Sequence, residues 1–264
     1  MPFMTTPDSA SLHYQVEGRE DAPLLVLSNS LGTNLGMWAP QMPAFLEKFR
    51  VLRYDARGHG QSAVTPGPYT IAQLGEDVVA LLDHIGAARA HFCGLSMGGM
   101  VGMWLGANRP ERIDRLVLCN TGAKIGTAES WNQRIDKVKA EGMESIVPAV
   151  LDRWFTKDFQ RYAQLQVDIV REGLLRTSAE GYAANCAAVR DMDQRDGLGG
   201  ISAPTLVIAG RHDLATPPDD GRLIAGRIPG AQYIELNAAH LSNWEVAQSF
   251  TTQVMGFLSE RQGG

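Results

Sequence analysis

The sequence predicts an α/β fold: a mostly parallel central sheet flanked by helices, with a helical cap inserted between two strands. Three observations carry this. Six short apolar runs occur, most of them nearly continuous in hydrophobicity, as strands covered on both faces should be. Helix-period segments separate most of them, and strand–helix alternation implies parallel strands joined by crossover helices. Between about residues 123 and 200 the alternation lapses, and only helical patterns occur.

Taken in order, the apolar runs place strands at Pro23 to Leu27, Phe49 to Asp55, Ala90 to Leu95, Ile113 to Cys119, Pro204 to Ala209 and Ala231 to Leu236. The 3.6-residue period places helices of the main layer at Gln73 to Ile85, Gly98 to Asn108, Pro218 to Arg227 and Trp244 to Leu258. The insertion carries four more: Glu129 to Glu141, Met143 to Phe155, Phe159 to Glu172 and Ala179 to Arg190. A helical block between two strands of one sheet reads as a cap over one sheet edge. The expected organisation is therefore a core of residues 1–122 and 201–264 and a cap of residues 123–200, with Gly197 to Gly200 as the exit linker.

Composition narrows the function classes. A chain of 264 residues, 44% hydrophobic and 20% charged, can bury a sizeable core without staples. A net charge of −5, spread without blocks, argues against nucleic acid or an anionic membrane as partner. Three cysteines (Cys93, Cys119, Cys186) lack metal-ligand spacing and are odd in number, so no metal site and no disulfide framework is expected. The N-terminus lacks the pattern of a signal peptide, and no apolar stretch is long enough to span a bilayer. The expectation is a cytoplasmic enzyme or binding protein with a small-molecule ligand, homo-oligomerisation being left open.

Chemistry concentrates in three loops, each beyond the carboxyl end of a predicted strand. Gly94-Leu-Ser-Met-Gly-Gly99 leaves a strand and opens a helix, the context in which G-x-S-x-G is informative. The sharp turn lifts the Ser96 hydroxyl above the sheet, flanking glycines let neighbouring chains approach, and the Met97 N–H at the helix N-terminus favours a developing negative charge. A serine nucleophile needs a base and a group to orient that base. Asp213, in Gly210-Arg-His-Asp213, and His240, in Asn237-Ala-Ala-His240, occur in the order acid then histidine. Loops at carboxyl ends converge, so these three residues form one candidate triad. His212 precedes the acid and lies on the wrong loop; Asp219 and Asp220 read as helix-capping alternatives. The loop Ser28-Asn-Ser-Leu-Gly32 offers Leu31 as the second oxyanion N–H donor, beside Met97. Asp55-Ala-Arg-Gly-His-Gly-Gln-Ser62 reads as structural, with Asp55 paired to Arg57 and Gly58 and Gly60 permitting a tight turn.

Together, Ser96, Asp213, His240 and the Arg-Gly-His-Gly-x-Ser loop resemble the α/β-hydrolase fold over the whole chain. A narrower set is similar to the 3-oxoadipate enol-lactonases: Asn29-Ser-Leu-Gly32, Arg53-Tyr-Asp55, Gly94 to Gly99, Leu118-Cys-Asn-Thr121, Arg153-Trp-Phe-Thr156 and Gly181-Tyr-Ala-Ala-Asn-Cys186. This resemblance implies hydrolysis of 3-oxoadipate enol-lactone to 3-oxoadipate, in the β-ketoadipate branch of aromatic degradation, with no cofactor. Such a substrate carries a carboxylate; Ser30, Asn120, Arg134 and Arg153 are candidates to meet it. Trp154, with Trp131 and Phe155, is a candidate pocket wall. The alternative enzyme reading is a carboxylesterase or cofactor-free perhydrolase on the same triad. The non-enzymic alternative is a hydrolase-fold receptor for a small lactone. A dinucleotide-binding oxidoreductase is disfavoured, because no G-x-G-x-x-G follows the first predicted strand.

Overall fold

The structure, a computed structural model, describes residues 2–260. Two strands that the apolar-run criterion passes over come first: β1 (Phe3–Thr5) and β2 (Ser11–Glu17), paired antiparallel. Polar residues interrupt β2, and His13 among them is buried, so the strand lacks a continuous apolar run. The chain continues through β3 (Leu24–Ser28), a 3₁₀ turn at Leu35–Trp38, α1 (Met42–Phe45) and β4 (Arg50–Tyr54). Next come α2 (Ile71–His84), β5 (Ala90–Leu95), α3 (Met97–Asn108) and β6 (Ile113–Cys119).

Five helices intervene before the next strand: α4 (Ala128–Glu141), α5 (Val147–Trp154), α6 (Lys157–Tyr162), α7 (Gln164–Leu175) and α8 (Ala179–Asp191). The sheet then resumes with β7 (Thr205–Gly210), α9 (Pro218–Arg227), β8 (Gln232–Leu236), α10 (Ser242–Glu245) and α11 (Ala247–Ser259).

Three predicted helices are broken in two, each for a local reason. Pro148 lacks an N–H and sits in the first turn of α5, so Met143–Ser145 forms a separate 3₁₀ turn. Ala163 and Val246 leave helical dihedrals, at φ −121° and −128°, which divides α6 from α7 and α10 from α11.

The sheet order is β1-β2-β4-β3-β5-β6-β7-β8, and every pairing from β4 to β8 is parallel. Leu25, Val26, Leu27, Phe92, Leu116, Leu118 and Val207 are buried, as expected of strands covered on both faces. Register sets the site. Ser28 aligns with Gly94, Leu95 with Cys119, Cys119 with Ile208 and Gly210 with Leu236. The carboxyl ends of five neighbouring strands therefore lie along one rim, and the loops after them open together beside the inserted helices. Among the described residues no helix is long and apolar enough to cross a membrane, and no His/Cys/Asp/Glu grouping could hold a metal ion.

Candidate active site

Ser96 occupies the turn between β5 and α3 at φ 58° and ψ −117°, a region that L-residues enter at a cost of ~1–3 kcal/mol. The surroundings enforce it. The Ser96 N–H donates to the Cys119 carbonyl at 2.9 Å, and the Ser96 carbonyl accepts from Thr121 Oγ1 at 2.7 Å. Gly98 N–H donates to the Asn29 carbonyl at 3.0 Å. A Cβ on Gly94 would overlap the Gly98 backbone, and one on Gly98 would overlap the Ser28 carbonyl, so both positions require glycine.

His240, on the loop after β8, and Asp213, on the loop after β7, meet through Nδ1 and Oδ2 at 2.8 Å, both buried. Asp213 receives more than this one bond. Its Oδ1 accepts the Ala215 and Thr216 N–H groups at 2.8 and 2.9 Å, and its Oδ2 accepts Thr216 Oγ1 at 2.8 Å and Asn120 Nδ2 at 3.0 Å. Burial opposes the carboxylate charge, but His240 and these donors together hold Asp213 below the ordinary carboxylate range. A carboxylate on Nδ1 leaves Nε2 of the imidazole as the basic atom.

Ser96 and His240 line one cavity of about 270 Å³. Among the described residues no hydrogen bond joins the serine hydroxyl to the imidazole. Ser30 and Leu31 contribute to the core side of the same cavity. Trp131 and Arg134 of α4, with Arg153 and Trp154 of α5, contribute from the inserted helices. Several backbone donors around Ser96 are in use: Ser30 N–H meets Met37 Sδ at 3.2 Å, Gly32 N–H meets His59 Nε2 at 2.8 Å, and Ser96 and Gly98 are engaged as above. Leu31 and Met97 N–H groups have no intramolecular acceptor among the described residues. Two open donors flanking a serine can receive an oxyanion.

Both cavity arginines are half-buried. The Arg134 guanidinium lies 4.8 Å from the centre of the Trp131 ring. Burial and the neighbouring Arg134 charge push Arg153 below its ordinary value. Neither forms an ion pair with a carboxylate among the described residues. A half-buried cation without a counter-ion is costly, so the cavity favours an anionic ligand.

Two sequence-based expectations, for Asn120 and for the Asp55–Arg57 pair, need correction. Asn120 does not reach the cavity; at φ 43° its amide is spent on Asp213 and on the Ala239 carbonyl at 3.1 Å, while Ser242 Oγ donates to its Oδ1 at 2.6 Å. It supports the acid rather than a substrate. Asp55 does not pair with Arg57. Its carboxylate meets His13 Nδ1 at 2.7 Å and accepts the Leu35 and Gln61 N–H groups at 2.8 and 2.9 Å. Arg57 forks instead between Asp8 and Asp77. His212 is exposed and bonded to Asn237 at 2.9 Å, away from the cavity. Asp219 and Asp220 start α9, and burial together with the Asp213 and Asp219 charges raises Asp220 to about 6. Thr216 also belongs to the site, through its N–H and its hydroxyl on Asp213. Its signal is the Asp-x-x-Thr spacing, which folds two N–H groups and a hydroxyl onto one carboxylate.

This strand-and-loop arrangement, with a serine elbow facing an Asp–His pair, defines a hydrolase of the α/β class. A family model of the alpha/beta hydrolase fold matches residues 23–166, and the chain belongs to that family. Within it, the chain is 43% identical to 3-oxoadipate enol-lactonase 2 of Acinetobacter baylyi, covering 94% of this chain and 93% of that protein. It is 40% identical to 3-oxoadipate enol-lactonase 1 of the same organism, covering 98% and 97%. The crystal structure of the enol-lactonase from Burkholderia xenovorans LB400 superposes with a TM-score of 0.96 at 49% identity, covering 98% of this chain and all of that one.

Proposed function

We propose that the protein opens 3-oxoadipate enol-lactone to 3-oxoadipate, in the β-ketoadipate branch of aromatic degradation, by serine acyl-enzyme catalysis. The observation that carries this reading is one cavity holding both Ser96 and two arginines without counter-ions among the described residues. An ester hydrolase for neutral substrates has no need of those cations, whereas this lactone bears a carboxylate beside its ring. The similarity to enol-lactonases over nearly the full chain supports the same substrate. Three free, buried thiols suit a reducing cytoplasm.

In the proposed reaction, His240 Nε2 takes the Ser96 proton as Oγ attacks the lactone carbonyl. Asp213 holds the imidazole and stabilises the imidazolium. The oxyanion sits between the Leu31 and Met97 N–H groups, each contributing ~3 kcal/mol. The tetrahedral intermediate expels the ring oxygen as an enolate, which takes up the proton held on His240 Nε2 and becomes the ketone, leaving His240 neutral again. Water, deprotonated by His240, then attacks the acyl-serine and releases the second carboxylate. Arg134 and Arg153 bind the carboxylate that the substrate already carries, with Ser30 beside the reacting carbonyl and Trp154 as an apolar wall.

The test is the fall in ultraviolet absorbance of freshly generated enol-lactone, run beside a panel of neutral nitrophenyl esters. The lactone should be strongly preferred, and Ser96→Ala should abolish turnover in a folded protein. Arg134→Gln should lower kcat/KM for the lactone by about 10- to 100-fold, the worth of one charge-assisted contact, while sparing neutral esters. Equal losses on both substrate types would remove the carboxylate assignment.

A further inference from the structure

We propose that His59 is a positioning residue of the oxyanion hole: by accepting the Gly32 N–H it fixes the adjoining Leu31 peptide, whose own N–H receives the developing charge. This rests on the assignment of Leu31 made above. His59 is buried and does not line the catalytic cavity, so it acts through the backbone and not on substrate.

The geometry assigns the imidazole a definite role. A backbone N–H can only donate, so His59 Nε2, 2.8 Å from Gly32 N, is an acceptor and the ring hydrogen sits on Nδ1, 3.3 Å from the Arg57 carbonyl. Burial pushes His59 down to about 4, against the opposing effects of the Arg57 carbonyl and the Asp55 charge, which keeps that acceptor available at neutral pH. Gly32 is at φ 83°, and a Cβ there would come within 2.7 Å of Leu174 and 3.0 Å of Tyr182. Glycine is therefore required at the one place where the turn is conformationally most permissive. Two tethers restrain it: His59 takes its N–H, and Thr177 Oγ1 donates to its carbonyl at 3.1 Å.

The preceding peptide is fixed as well. The Ser30 carbonyl accepts Thr33 N–H at 3.1 Å and Thr33 Oγ1 at 2.7 Å. A trans peptide carries its N–H and C=O on opposite edges, so this anchor turns the Leu31 N–H outward. His59 itself is held by the inserted helices. Asn185 of α8 donates to the Arg57 carbonyl and to the Gly181 carbonyl, both at 2.8 Å, and Gly58 packs directly on Gly181. The loop containing His59 is thus a wedge between α8 and the oxyanion turn.

The experiment compares His59→Leu with His59→Gln, whose amide oxygen can accept the same N–H, on the enol-lactone and on p-nitrophenyl acetate. For His59→Leu the expected result is a kcat lower by about 10- to 100-fold on both esters, with KM within about two-fold, as for a donor held slightly out of place. Affinity for phenylboronic acid, which forms a tetrahedral adduct on Ser96, should fall in the same proportion, while affinity for the 3-oxoadipate product stays unchanged. His59→Gln should restore most of the loss. Unchanged kcat in folded His59→Leu overturns the proposal, and so does an equal loss of boronate and product affinity. Activity on the nitrophenyl ester without activity on the lactone would sink the proposed substrate but leave the His59 test intact. If neither variant folds, nitrogen-15 NMR of the wild-type protein decides: an Nδ1–H tautomer supports the proposal, and an Nε2–H tautomer overturns it.

Discussion

Replacing Asp213 with asparagine tests the acid–base arrangement at the atom where it is most constrained. The side chain keeps its shape, but one oxygen becomes an NH₂ group that can only donate. Placed at the Oδ1 position, that group would face the Ala215 and Thr216 N–H groups, which cannot be turned round. Placed at the Oδ2 position, it would face Thr216 Oγ1, whose hydroxyl can rotate, His240 Nδ1, which can change tautomer, and Asn120 Nδ2. The second placement is the less costly, and it forces the hydrogen of His240 onto Nε2. An imidazole in that form cannot accept the Ser96 proton. The expected loss in kcat is about 10⁴-fold, or ~5 kcal/mol of transition-state stabilisation. Stability should fall by only ~1–3 kcal/mol, the cost of mismatched hydrogen bonds to one buried group. Absorbance assays of lactone opening, with thermal melts on the same samples, measure both. A folded Asp213→Asn protein retaining kcat within ten-fold of wild type would refute the assignment of Asp213 as the orienting acid.

Two further outcomes are expected. Gly98→Ala should lower stability by ~2–4 kcal/mol in chemical denaturation, because the new methyl overlaps the Ser28 carbonyl, although alanine is the better helix former by ~1 kcal/mol; equal or greater stability would contradict the packing described. Acidification should also weaken the fold through His59, whose value falls from an ordinary 6.5 to about 4 on burial. The unfolded chain takes up this proton first, so His59's contribution is complete above about pH 6.5 and is lost progressively down to about 4, by ~3 kcal/mol in all. The stability–pH slope in that window should be shallower in His59→Gln.

Much of this architecture is legible in the sequence because the signals are local. Ser96, Asp213 and His240 each follow an apolar strand by a few residues, so the strand pattern alone puts them on one rim. Leu31 and Met97 are readable for the same reason, as backbone positions set by turns. What escapes is whatever depends on partners distant in the chain. Asn120 looks like a substrate contact until the β6–β7 register turns its amide onto Asp213. Asp55 and Arg57 look like a pair, yet β4 ends at Tyr54 and each finds its partners elsewhere in the chain, His13 for Asp55 and Asp8 and Asp77 for Arg57. β2 hides because His13 is a buried polar residue in a strand whose neighbours supply its partner. That Arg134 and Arg153 lack counter-ions among the described residues is likewise a property of the folded cavity and of no local motif.

The bonds from Thr177 and Asn185 to Gly32 and the Arg57 carbonyl bear on how such enzymes could be recombined. A chimera that transplanted only the segment between β6 and β7 would carry new specificity groups while orphaning two anchors on the recipient scaffold. A successful graft should therefore move the Ser30–Thr33 and Arg57–Gly60 turns together with the donor helices, treating three separated stretches of chain as one exchangeable part.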